Sequence, residues 1–147
     1  MPKTGGEERA ISSALFEQES FQVQARYPDL VQSVRQTAIR CLDGRRTRRE
    51  AFQNGQRRDF LEQYDMVFTA GEASASIQVY YLQFWPENPQ QPFRSTLVLT
   101  ADITQGSPKS TNVILRGDRK KHYGLFGLFR GWISGTRDRC SIFGEYS

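Results

Sequence analysis

Ala75-Ser-Ile-Gln-Val-Tyr-Tyr-Leu-Gln-Phe-Trp85 is the stretch on which the fold class turns. It is rich in β-branched and aromatic residues, and no glycine or proline interrupts it, which marks a strand. Ile77, Val79, Tyr81 and Gln83 fall on one side, and Gln78, Tyr80, Leu82 and Phe84 on the other. Neither side is wholly polar, so the strand is expected to be central in its sheet, or to have its second face covered.

Downstream, Pro86-Glu-Asn-Pro-Gln-Gln-Pro92 is a stiff connection that cannot be strand. Phe93 to Thr104 alternates again. Gly106 and Pro108 mark a turn, and Thr111 to Leu115 reads as a further strand. Tyr64 to Ala70 is the candidate strand upstream. Short connections between successive strands favour an antiparallel meander.

The N-terminal part reads differently. Pro28 and Asp29 suit the first turn of a helix, and Leu30, Val31, Val34, Ala38, Cys41 and Leu42 follow helical spacing up to a stop at Gly44. A first helix is expected over Glu7–Arg26, with Ile11, Ala14, Leu15, Gln18 and Gln22 on its stripe. Thr47 and Glu50 have the spacing of a capping box, which predicts a third helix through Phe52, Phe60 and Leu61. Asn54-Gly55 is the competing hairpin signal. The expected fold is α+β, with two or three N-terminal helices packed on a four- to five-stranded antiparallel sheet. One domain, 1–147, is expected. Within it 1–6 is a loose tail, 7–63 is mainly helical, 64–116 is the meander and 117–147 is a basic, aromatic C-terminal segment. Helices followed by a curved meander are similar in element order to cone-shaped NTF2-like folds. That likeness is architectural and carries no function.

Charge is unevenly spread. Residues 35–58 hold eight Arg against Asp43 and Glu50, and residues 109–139 hold eight bases against Asp118 and Asp138. Between them, residues 59–108 hold six acids against Arg94. Guanidinium groups bind phosphate and carboxylate in a planar fork. The expected function is therefore a non-enzymatic binding protein that holds an anionic partner, RNA or single-stranded DNA first. Arg45, Arg46, Arg48, Arg49, Arg57 and Arg58 would carry the contact, helped by Arg119, Lys120 and Lys121. A bland alternative is that the basic block meets the acidic middle of the same molecule or of a neighbour.

Self-association or a protein partner gives a second reading, a structural subunit with Phe126, Phe129 and Trp132 at its interface. The cations of 119–133 beside these aromatics also fit peripheral membrane contact, ranked lower. A small enzyme or ligand-binder in an NTF2-like cone is third. Its weakness is chemical. His122 is the only histidine, no phosphate-cradling glycine motif is present, and no metal site or cofactor is expected. Cys41 and Cys140 read as two free thiols of a reducing compartment, with a single bridge as the alternative. The N-terminal residues have no apolar run, so a cytoplasmic or otherwise intracellular location is expected.

Overall fold

The computed structural model describes residues 17–51, 55–136 and 140. Six strands form one antiparallel sheet: β1 (Glu17–Val23), β2 (Arg45–Ala51), β3 (Arg57–Ala70), β4 (Ser74–Phe84), β5 (Arg94–Ser107) and β6 (Ser110–Gly117). Their spatial order is β1-β6-β5-β4-β3-β2. Strands β2 to β6 are thus a meander, and β1 returns to pair with β6. Helix α1 (Tyr27–Leu42) joins β1 to β2, and helix α2 (Leu125–Ser134) follows β6 after a single 3-10 turn at His122–Gly124. Both helices pack into one core with the same face of the sheet.

Two or three N-terminal helices on a four- to five-stranded sheet is therefore corrected. Among the described residues one helix lies in the N-terminal part and the other near the C-terminus, and the sheet has six strands. The expected helix over Glu7–Arg26 fails at its second half. Residues 17–23 alternate in exposure, with Phe21 and Val23 packed on the core and Gln18, Ser20 and Gln22 outside. A helical stripe would have buried Gln18 and Gln22 instead, so the period of two wins. Residues 1–16, including the expected tail, lie outside the described residues.

The expected third helix is a hairpin. Arg46 pairs with Glu62 and Arg48 with Phe60 across β2 and β3. Gly55 has φ +84°, the backbone state that makes Asn-Gly a hairpin signal. Phe60, Glu62, Tyr64, Met66 and Phe68 alternate along β3 toward the helices, which a helix from Thr47 would have scattered around its axis. Among the described residues a strand precedes the first helix and a helix follows the last strand, an order different from the helices-first one that suggested an NTF2-like cone.

Helix α1 buries Leu30, Val31, Val34, Ala38, Cys41 and Leu42, the stripe its spacing predicts. Gly44 at φ +113° turns the chain directly into β2. The Tyr27 hydroxyl donates to the Gly71 carbonyl (2.8 Å), tying the helix start to the β3–β4 hairpin. Helix α2 is buried on most of its surface. Phe126, Phe129 and Trp132, expected at a subunit or membrane contact, are all less than 5% exposed in this chain's own core. Withdrawing any of them would cost about 1.5–3 kcal/mol. A Cβ at Gly117 would come within 3.1 Å of the Phe126 ring, so the absence of a side chain there sets the close approach of α2 to β6. No helix among the described residues is long and apolar enough to cross a membrane.

Cys41 on α1 and Cys140 form a disulfide with Cα atoms 5.0 Å apart, so the expectation of two free thiols gives way to its alternative. The bridge joins residues 99 apart in sequence. By closing so long a loop it is expected to contribute about 2–4 kcal/mol. Replacing both cysteines by Ala should lower the urea-unfolding free energy by that amount. A thiol-reactive reagent should find no free sulfhydryl in the unreduced native protein.

Candidate functional site

Strand β2 lies at the edge of the sheet and pairs only with β3 among the described residues. Its sequence begins Arg45-Arg-Thr-Arg-Arg49, and the pleat divides these side chains. Arg46 and Arg48 stand opposite Glu62 and Phe60, on the face the helices cover. Arg45, Thr47 and Arg49 stand opposite Gln63, Leu61 and Asp59, on the bare face, where no described helix packs.

On the helix side, the carboxylate of Glu62 is fully buried and is the centre of a polar cluster. The Tyr81 hydroxyl donates to Oε1 at 2.5 Å, and the Tyr123 hydroxyl donates to Oε2. Arg46 and Arg48 approach the same carboxylate at 3.8 and 3.6 Å. Arg48 also donates to the Tyr123 hydroxyl (3.3 Å). Beside them, the Tyr64 hydroxyl and His122 Nδ1 lie 3.3 Å apart, and the His122 ring packs edge-on against Tyr81.

His122 and Tyr123 arrive from the segment after β6. Asp118 Oδ1 accepts from the backbone N–H groups of Lys120 and Lys121 (2.8 and 3.2 Å), turning the chain across the end of the sheet. His122 and Tyr123 then both take φ +59°. This left-handed pair is uncommon for residues with a Cβ. It carries Tyr123 down onto Glu62.

On the bare face, Arg49 pairs with Asp59 (2.7 Å). Arg45 donates to Gln63 and to the Pro89 carbonyl, and its guanidinium lies 4.0 Å from the Phe84 ring centre. It thereby pins the proline-rich 86–92 loop over an otherwise open end of the sheet. Arg58 pairs with Glu87 and lies 3.9 Å over Trp85, whose other face stacks on Phe93 at 4.1 Å. Arg57 is exposed.

The first basic block thus meets the acidic middle inside one molecule, through Asp59, Glu62 and Glu87. The second block divides. Lys120 and Lys121 are exposed, and the Lys121 charge acts on His122, beside the Glu62 cluster. Arg119 pairs with Glu17 and Glu19 on β1, the opposite edge of the sheet. The nine cations named from sequence do not form one patch. Neither a family model nor a curated protein matches the chain.

Among the described residues, no group of three or more His, Cys, Asp or Glu is placed to hold a metal ion. An open groove of about 580 Å³ runs between α1 and β3. Its lining includes Arg35 and Arg45, but also Asp43 and Asp65, so it favours neither sign of charge.

Burial first, and then the hydrogen bond to Glu62, pushes the Tyr123 hydroxyl up to about 12 and the Tyr81 hydroxyl further. Burial first, and then its phenolic and carboxylate neighbours, raises Tyr64 far above its ordinary range. At neutral pH all three are therefore donors and not nucleophiles. A general base must reach its substrate, and Glu62 is sealed. The cluster does structural work, fastening β2, β4 and the 118–124 segment to β3.

Glu62, Tyr81, His122 and Tyr123 were not among the residues singled out as a binding site. The available signal was Glu62 itself, the one acid in the core-facing series Phe60, Glu62, Tyr64, Met66 and Phe68. Glu62→Ala should orphan the buried Tyr81 hydroxyl, release that of the partly exposed Tyr123 and loosen both arginines, lowering stability by about 2–3 kcal/mol in denaturant unfolding. Tyr123→Phe should cost about 1 kcal/mol.

His122 supplies the pH dependence. Burial is the main cause that lowers its pKa below the ordinary value near 6.5, with Lys121 and Arg48 adding to it and Asp118 opposing. The unfolded chain then binds the proton more readily than the native one, so stability falls as pH drops through about 6.5 and levels off below the folded value. His122→Asn, which tolerates the left-handed backbone, should remove that slope from unfolding curves collected between pH 7.5 and 5.

Proposed function

We propose that this chain is a non-enzymatic binding module that holds an anionic partner along edge strand β2. The supporting observation is four arginines within five residues of a strand whose outer edge pairs with no described residue. Arg46, Arg48 and Arg49 keep side-chain exposures of 42%, 46% and 63% although each has a partner within the molecule. A guanidinium carries five N–H donors, so an arginine already paired within the molecule can still reach a second anionic ligand from its exposed side.

The Cys41–Cys140 bridge supports an oxidising compartment over the cytoplasm, because structural disulfides seldom persist in a reducing one. Single-stranded nucleic acid is kept as a second reading because the exposed guanidinium groups of β2 suit phosphate as well as carboxylate.

The test uses heparin, polyglutamate and single-stranded RNA as probes, titrated from low to physiological salt. Wild-type protein should bind at least one of them with an affinity that falls steeply with salt. Replacing Arg45, Arg46, Arg48 and Arg49 by Gln should weaken that binding at least tenfold and flatten the slope. Equal affinity in the two proteins would sink the proposal.

A further inference from the structure

We infer that the partner at this edge is an extended acidic polypeptide segment that adds to β2 as a seventh strand. The inference rests on β2 being the binding edge and goes on to name what it binds. Three features of the edge point to a polypeptide.

The first is the backbone. Strand β2 runs seven residues, Arg45–Ala51, and only one of its two long edges is used by β3. The other pairs with no described residue, and its row of N–H and C=O groups is about 23 Å long, a length an extended chain can match. A polynucleotide has no amide ladder with which to match that row. An extended peptide has one, and strand addition is a recurrent way of binding peptides.

The second is the alternation of charge. Arg45 and Arg49 stand on the bare face, and Arg46 and Arg48 on the helix face. Side chains of an incoming strand alternate in the same way, about 4.5–5.5 Å from those directly opposite. Acidic residues on either face of that strand would each find a guanidinium beside them. The same rule works against a second copy. Pairing β2 with β2 would set arginines against arginines, and like charges directly opposite are destabilising.

The third concerns the aromatic rings a nucleic acid would need. Trp85 has Arg58 over one face and Phe93 stacked on the other. Its stacking surface is already filled within the chain, and the ring offers little to a base. The acidic peptide is thus favoured at this edge.

Ten-residue peptides of Glu and Val provide the test, used with the full-length, disulfide-bonded protein. One is unmodified. Two others carry N-methyl groups on alternate backbone amides, one in each register, leaving charge unchanged. The unmodified peptide should bind, slow hydrogen exchange of amides within 45–51, and bind at least tenfold more weakly to the variant with Gln at 45, 46, 48 and 49. At least one methylated register should lose tenfold or more in affinity, because its missing N–H groups face β2. If both methylated peptides bind like the parent, charge alone holds the ligand and strand addition is overturned. If RNA or heparin binds but the unmodified peptide does not, the acidic-strand inference fails while the basic edge stands as an anion site. If no probe binds even at low salt, both fail together.

Discussion

The register of β2 on β3 is the constraint on which the rest depends. Arg46 faces Glu62 because the hairpin closes where it does. A slip of one residue would carry Arg45, Thr47 and Arg49 to the covered face and leave Glu62 beside a different set of side chains. The slip would also part the buried carboxylate from the Arg46 and Arg48 charges that now flank it, so it is disfavoured. Glu62 holds more than its own hairpin in place. It accepts from Tyr81 on β4 and from Tyr123, which arrives after β6 from the far side of the sheet. One carboxylate therefore ties the edge strand, a central strand and the C-terminal crossing segment to one geometry.

The C-terminal part resolves a competition between two uses of the same residues. Leu125, Phe126, Leu128, Phe129, Trp132 and Ile133 lie next to cations, a composition that suits a membrane surface as well as a protein core. The core wins because the sheet leaves one face for α1 and α2 to share, and burial of several large side chains exceeds what a shallow interfacial contact offers. Gly117 removes the one side chain that would hold α2 away from β6. The bridge between Cys41 and Cys140 then connects the chain beyond α2 to the last turn of α1.

Charge follows a similar logic of proximity. The acidic middle and the first basic block look in sequence like two opposite surfaces, yet the meander sets β2 beside β3 and the proline-rich loop beside both. Asp59, Glu62 and Glu87 each take an arginine there. What reaches solvent is a basic edge strand with partly occupied guanidinium groups, a different object from a broad phosphate-binding face. That edge is narrow, and its outer backbone row pairs with no described residue.

Local patterns determined part of this protein from sequence alone. The apolar stripe of 30–42 with Pro28 before it and Gly44 after it defines α1, and alternation in 75–85, 93–104 and 111–115 places β4, β5 and β6. Such signals depend only on neighbours three, four or two residues away, so they are legible without knowing the fold. The Asn54-Gly55 dipeptide was legible too, but an apparent capping box at Thr47 and Glu50 opposed it, and only pairing with β3 decides between them. Strand β1 has its reason in β6, about 90 residues away, and the division of the arginines between two faces has its reason in the β2–β3 register. The burial of Glu62, the left-handed pair at His122 and Tyr123, and the choice of Cys140 as partner of Cys41 are likewise contacts between distant segments. Tertiary structure decided these, because the free energy that selects them arises only when the distant partner is present.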